Sequence, residues 1–286
     1  MPNQRIGILH PGEMGIFIAS SAKNSGCDVY WTSEGRRAAT RERAYKFELH
    51  EAPTLIELCE ACPIVVSVCP PHAAETLAAE VVRAGFRGLF VEANAIAPER
   101  TIQIGQAMTK AGVSFVDGGI IGLPSWKPHT TCLYLSGDRA NEVVPCFSAG
   151  PLDTSVLGTE IGKASALKMC YAANTKGAVA LLAAILATAE SLGVREALFD
   201  RWRLEDAQLP DQILKRIQMN CPKAWRFVGE MGEISQTFTS AGAPGEFHAG
   251  AADIYERLAR FKDAKAVPTL EQILDALCET KKETTA

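Results

Sequence analysis

Residues 5–15 read RIGILHPGEMG, and the fold of the chain turns on how this stretch is read. RIGILH (5–10) is a short apolar run of strand character; PGEMG follows with no spacer, and IFIASSAKNSG continues as a helix. A glycine at 12 lets the backbone approach a pyrophosphate, and one at 15 lets the following helix pack closely on the strand. Free N–H groups at the helix start supply an anion site. The stretch therefore predicts a dinucleotide-binding turn made of His10, Pro11, Gly12, Glu13 and Met14. His10 replaces the usual first glycine of G-x-G-x-x-G, which weakens the motif, but the order strand, turn, helix, Gly26 and a second strand CDVYWT restores its weight.

The end of the second strand separates the two nicotinamide cofactors. An acid there takes the ribose hydroxyls of NAD, whereas arginine with a small hydroxyl residue suits a 2'-phosphate. The chain reads Thr32, Ser33, Glu34, Gly35, Arg36, Arg37, so Ser33 stands where the acid is expected and paired arginines follow. NADP leads; NAD stays possible because Glu34, one residue late, either serves the ribose or caps the next helix. Arg41 and Arg43 read as solvated helix residues.

The same rhythm continues through a weak third element near Phe47 and Leu49, a strand PIVVSVC (63–69), a helix at 73–84 and a strand LFVE (89–92). Residues just past the carboxyl ends of such strands line a ligand crevice, which nominates Cys69, Pro70, His72 and Asn94. Asn94 carries both a donor and an acceptor and suits a substrate or a cofactor amide; the alternative is an asparagine that stabilises a turn. VSFV (113–116) is the next strand, and DGGIIG (117–122) reads as a glycine-rich turn whose main-chain N–H groups at Gly118, Gly119 and Ile120 suit a substrate carboxylate. Trp126, Lys127 and His129 lie on a loop that could cover the site. A strand at 131–136, a short helix at 140–146 and a last strand near 155–157 complete a first domain of residues 1–162.

Residues 164–192 have helix-forming composition, and at 1.5 Å per residue they predict a helix roughly 43 Å long. The apolar run 178–189 is too short for a membrane span, and Lys176 and Glu190 close both of its ends. A buried central helix and a homodimer packed through Leu181, Leu182, Ile185 and Leu186 are expected instead. Tyr171, Ala172 and Thr175 follow Lys168 by three, four and seven positions and share its helix face, so Tyr171 and Thr175 are candidates to line a substrate pocket. Lys163 is expected in solvent, and Lys176 either reaches an anionic group or caps a crevice.

Four stretches, GILHPGEMG (7–15), residues 92–98, DGGIIG (117–122) and GKASALK (162–168), resemble the beta-hydroxyacid dehydrogenase superfamily. That superfamily includes 3-hydroxyisobutyrate and 6-phosphogluconate dehydrogenases, and the resemblance is greatest to its short phosphogluconate dehydrogenase-like members. The resemblance implies an α/β Rossmann-type domain followed by an all-α domain, with Lys168 as the catalytic acid/base. It also implies that Gly118, Gly119 and Ile120 form the substrate turn. The usual serine of that turn is Ile121, and the asparagine commonly one helical turn after the lysine is Ala172, which argues against the ordinary family substrates. The implied activity is hydride transfer between a nicotinamide cofactor and a small hydroxy acid or carbonyl compound. Imine reduction and a non-catalytic NADP-binding regulator are the alternatives.

Helices are expected at 195–202, 208–219, 224–241, 244–261 and 269–281, giving an all-helical domain over residues 163–286. Arg226 and Glu230 are spaced for a surface pair, Trp225, Glu230 and Glu233 are specificity candidates, and His248 reads as structural. A net charge of −4 gives no basic footprint for nucleic acid. Nine cysteines and no leader signal suggest reduced thiols and a cytoplasmic protein. Cys59 and Cys62 form one C-x-x-C without a second pair to complete a zinc site.

Overall fold

The computed structural model of the chain describes residues 3–279; the polar tail read at 280–286 lies outside them. The chain divides into two compact units, Met1–Met169 and Cys170–Ala286. The first therefore runs past the boundary at residue 162 expected from sequence.

The first unit alternates strands and helices: β1 (Arg5–Ile8), α1 (Glu13–Asn24), β2 (Asp28–Thr32), α2 (Ala38–Lys46), β3 (His50–Ala52), α3 (Leu55–Ala61) and β4 (Ile64–Ser67). Then follow α4 (Ala74–Arg83), β5 (Leu89–Glu92), α5 (Pro98–Lys110), β6 (Ser114–Ile121), β7 (Thr131–Ser136), β8 (Leu152–Val156) and α6 (Lys163–Ala172). The strands form one sheet in the order β3-β2-β1-β4-β5-β6-β7-β8. β1 to β6 run parallel, β7 is antiparallel to β6, and β8 is parallel to β7. This is a doubly wound Rossmann-type sheet with its strand order reversing between β1 and β4, and ligands bind at the carboxyl ends of the strands beside such a reversal.

Alternation along each strand builds a core on either face of the sheet. Ile6, Ile8, Val29, Trp31, Val66, Val91 and Val116 pack on the side of α1. Val65, Phe90 and Phe115 pack with Leu58, Leu77, Val81, Ile104 and Met108 on the side of α3, α4 and α5. Strands buried on both faces read as continuous apolar runs, which is why they stand out in the sequence.

Two expectations are corrected. The third strand lies at His50–Ala52, just beyond Phe47 and Leu49. The DGGII segment is not a turn: it is the second half of β6, paired with β7 from Asp117 opposite Ser136 to Ile121 opposite Cys132. Its glycines serve close packing. A Cβ on Gly119 would lie 2.5 Å from the carbonyl oxygen of Ala164 and 3.2 Å from the Lys168 Cβ, so the α6 backbone rests directly on the strand.

The second unit is helical, with α7 (Ala178–Ser191), α8 (Arg195–Arg203), α9 (Leu209–Asn220), α10 (Ala224–Ser240), α11 (Glu246–Leu258) and α12 (Leu270–Cys278). The single long helix expected over 164–192 is interrupted: Ala173–Gly177 forms a π-helical turn between α6 and α7. By length and composition alone Lys163–Ser191 would pass for a membrane span, but the π turn, Lys168 and Lys176 fall inside it. Tyr255, fully buried, meets Phe227 edge to face at 5.2 Å and donates its hydroxyl to the Lys176 carbonyl at 2.8 Å. α12 starts with a reciprocal cap between Thr269 and Gln272.

Candidate functional site

The β1–α1 connection has the features of a phosphate-binding turn. A Cβ at Gly15 would run into the carbonyl of His10, so only glycine lets α1 start this close to the strand. At Gly12 a Cβ would meet nothing within 4 Å, which leaves the backbone open to a ligand. Gly12 is also the N-cap of α1 and supplies no side-chain acceptor, so the first N–H groups of the helix are not capped by it. These residues fit a dinucleotide pyrophosphate. His10 turns its ring toward the end of β2, with Nε2 2.6 Å from Arg36 Nη1. Burial first, and Arg36 second, lower its pKa to about 4.

Past β2, the side chains divide differently from the sequence reading. Ser33 is buried, its side chain is the first cause holding the Glu51 carboxyl below its usual range, and its carbonyl accepts from Arg41 at 2.8 Å. Glu34 accepts the Leu55 N–H at 3.0 Å and so caps α3, not α2. Arg41 and Arg43 are only partly exposed and make backbone contacts: Arg41 also reaches the Arg36 carbonyl, and Arg43 donates to the Pro11 carbonyl at 3.1 Å. Arg36 is half-buried, while Arg37 is exposed at the N-cap of α2.

The carboxyl ends of β4, β5 and β6 carry a buried polar row, with Ser67 beside Glu92 and Glu92 beside Asp117. Asn94 is buried at 3 % exposure; its Oδ1 accepts the Cys69 N–H, and its Nδ2 donates to Ser67 Oγ at 3.1 Å. The carboxamide thus ties the end of β4 to the end of β5. The backbone N–H of Asn94 donates to Glu92 Oε1 at 3.1 Å, and Glu92 Oε2 is buried without a partner. Burial, helped by Asp117, raises the Glu92 carboxyl to about 8, so it is mostly protonated at neutral pH. Cys69 is half-buried and pushed up to about 12 by desolvation, so it is a neutral thiol; Pro70 and His72 are exposed.

Asp117 was missed in the sequence, where it read as the first residue of a turn. Its Oδ2 accepts the N–H groups of Gly162, Ala164 and Ser165 at 2.9 to 3.1 Å and the Ser136 hydroxyl at 3.0 Å; Oδ1 accepts the Ser165 hydroxyl at 2.5 Å. A fully buried carboxylate on β6 thus caps α6, with desolvation raising its pKa against those hydrogen bonds. Gly162, at φ +100, makes the turn into the helix. An acid just before paired glycines was the available signal. Gly118, Gly119 and Ile120 are buried in β6, with the Ile120 side chain in the core on the α1 side, and they do not form an open turn. Lys168 is half-buried one turn after Ala164, at the carboxyl end of the sheet. Trp126 does not hang over this region; it stacks on Phe47 at 5.9 Å and meets Phe17 edge to face at 5.8 Å.

In the second unit Tyr171 is 45 % exposed, and Thr175 donates its hydroxyl to the Tyr171 carbonyl at 3.1 Å. Thr175 falls within the π turn, where the regular seven-residue spacing assumed for it does not hold. Lys176 pairs with Glu230 and lies 4.7 Å over the Phe227 ring, so Glu230 does not form the expected surface pair with Arg226. Glu233 is buried, Trp225 is 45 % exposed with Lys262 over its ring, and His248 is buried against Phe238 and Gly177. Cys59 and Cys62 are buried thiols, and no cluster of metal-ligating side chains occurs among the described residues.

Fold and turn together define a Rossmann-type domain built for a nicotinamide dinucleotide. The chain belongs to the family of the NAD binding domain of 6-phosphogluconate dehydrogenase, whose model matches residues 5–149; a domain of unknown function, DUF1932, matches residues 189–258. The conserved protein MTH1747, of unknown function and with structural similarity to 3-hydroxyacid dehydrogenases, is 28% identical with a TM-score of 0.68, covering 90% of this chain and 97% of its own. The 3-hydroxyisobutyrate dehydrogenase of Mycobacterium tuberculosis shares the fold at 17% identity, with a TM-score of 0.69 over 97% of this chain and 100% of its own. An uncharacterised 28.5 kDa protein in 7S RNA 5' region of Methanothermus fervidus is 27% identical over 196 residues, 68% of this chain and 75% of its own length.

Proposed function

We propose that the protein is an NADP(H)-dependent oxidoreductase that moves a hydride between its cofactor and a small hydroxy acid or carbonyl compound, with Lys168 as the acid/base. The observation that carries this reading is the seat of α6. Asp117 fixes the start of the helix and Gly119 admits its backbone to the strand, which sets Lys168 against β6; that a Rossmann sheet presents its ligand crevice at the carboxyl ends of its strands supports the reading. Gly12 and the first amides of α1 would hold the pyrophosphate, and Arg36 and Arg37 are the cations offered to a 2'-phosphate. When bound, the nicotinamide accepts or supplies the hydride. The chain's own part is proton handling: in the oxidative direction the O–H proton of the alcohol passes to the Lys168 amine as the carbonyl forms, and in reduction it returns. Asn94 and Glu92 act by holding the strand ends that frame the site.

The test is single-turnover oxidation of bound NADPH in native, K168R and K168A protein, once a panel of hydroxy acids and carbonyl compounds has produced a substrate. Arginine keeps the charge and cannot readily release a proton, so both variants should bind cofactor and lose about 100-fold or more in rate. Equal rates in native and K168R protein would overturn the lysine mechanism, and turnover confined to imines would favour the imine reductase reading. Absence of any turnover with intact NADPH binding would favour a non-catalytic regulator. A cytoplasmic homodimer belongs to the same proposal, on the apolar surface of α7.

A further inference from the structure

We infer that Arg36 is the residue that reads the cofactor's 2'-phosphate, and that His10, standing in the place of a glycine, is the positioning residue that aims it. The inference rests on the NADP reading above and assigns within it which side chains confer the preference. Arginine has donors only, so the contact of Arg36 Nη1 with His10 Nε2 at 2.6 Å makes Nε2 the acceptor, leaves the ring neutral and puts its proton on Nδ1. Burial and the adjacent guanidinium both oppose protonation, which keeps the acceptor in place at neutral pH.

The pair is not a structural ion pair. His10 Nδ1 and Arg36 Nε are both buried without a partner, and no carboxylate lies within ion-pair distance of Arg36 among the described residues. Glu80 and Glu34 act on it only at longer range. A half-buried cation held by a neutral ring keeps its charge for an anion, and unpaired buried groups of this kind concentrate at functional sites.

Its neighbours are otherwise engaged. The Ser33 hydroxyl faces Glu51, Glu34 caps α3, and Arg43 holds the Pro11 carbonyl. Arg41 holds the carbonyls of Ser33 and Arg36 and so fixes the backbone from which Arg36 projects, while the Arg36 N–H donates to Ser33 at 3.1 Å. Arg37 is exposed and has to be ordered by the ligand. Of the two arginines, Arg36 is the one already ordered, and a preorganised contact loses less entropy on binding.

The experiment is calorimetric titration of the full chain with NADPH and with NADH, for native protein and for R36A, R37A, H10F and H10Q. Glutamine restores an acceptor for Arg36 and phenylalanine gives only a ring. R36A and H10F should weaken NADPH about tenfold or more, the scale of one charge-assisted contact; R36A should leave NADH within about twofold, H10F should weaken NADPH more than NADH, and circular dichroism of each variant checks that it folds. H10Q and R37A should keep most of the NADPH preference. Native protein that binds neither dinucleotide, or both alike, overturns the cofactor reading and this inference with it. A native NADPH preference that survives H10F and R36A, or that is lost in R37A alone, overturns this inference and leaves the cofactor reading standing.

Discussion

Single residues at the carboxyl ends of the strands show how a buried acid serves structure. Glu92 is fully enclosed, with one oxygen on the Asn94 N–H and the other unpaired, and its carboxyl is raised from an ordinary 4.5 to about 8. A group whose folded pKa lies above its unfolded value contributes stability that is fully present below the unfolded pKa and is lost as pH rises through the folded one. Relative to E92Q, which keeps the acceptor and cannot ionise, native protein should therefore lose stability progressively as pH rises from about 4.5 toward about 8. Urea unfolding of both proteins at three pH values in this window checks it, and parallel profiles would refute it. Asp117 behaves in the opposite sense on deletion. D117A removes the acceptor of the Gly162 and Ser165 N–H groups and of the Ser136 hydroxyl, leaves the Ala164 N–H only Ser136 and the Ser165 hydroxyl only Thr101, and should cost on the order of 3 kcal/mol in the same assay.

At the scale of elements, what the sequence discloses is what is local. The β1–α1 turn, the apolar strands and the second-unit helices were legible because glycine spacing, strand alternation and breakers act over a few residues. The second half of β6 was misread because paired glycines signal a turn, whereas here they make room for α6, a helix that begins more than forty residues later in the chain. The partners of Asn94 were hidden for a related reason: they lie 25 and 27 residues away, and nothing near it announces them. The π turn is equally silent, since one widened turn leaves composition unchanged, and it coincides with the Lys176–Glu230 pair spanning 54 positions. That pair joins the π turn to α10, with side chains only 18 % and 13 % exposed. Breaking a largely buried pair from one side strands the other charge, so E230A should cost about 3 kcal/mol, and K176M/E230A should recover part of it. A double-mutant cycle by urea unfolding that shows simple additivity would mean the pair is solvated and contributes little.

At the scale of the whole molecule, the apolar surface left uncovered on α7 and the segment after it is the ground for the proposed homodimer. Leu186 is buried inside its own unit and does not belong to an interface, but Leu181 is 56 % exposed, Leu182 and Ile185 are half-buried, and Leu192 and Val194 stand at 70 % and 48 %. Scattered single leucines need no explanation, but a contiguous apolar helix face open to water does, and a two-fold dimer is the commonest way to close one. The same surface would serve a membrane helix, yet Lys176 and the π turn lie within the run, and the apolar part beyond them is Ala178–Ser191, shorter than the about twenty residues a span needs. The expected state in solution is a homodimer with Leu181, Leu182 and Ile185 at the contact. Light scattering on native protein at about micromolar concentration should then return twice the mass of one chain, and L181K should return one, because a lysine at the centre of a packed face leaves an unpaired charge in the interface. The α7 surface would be excluded as the contact if L181K stayed dimeric, and a native protein that scatters as a single chain at that concentration would remove the dimer altogether.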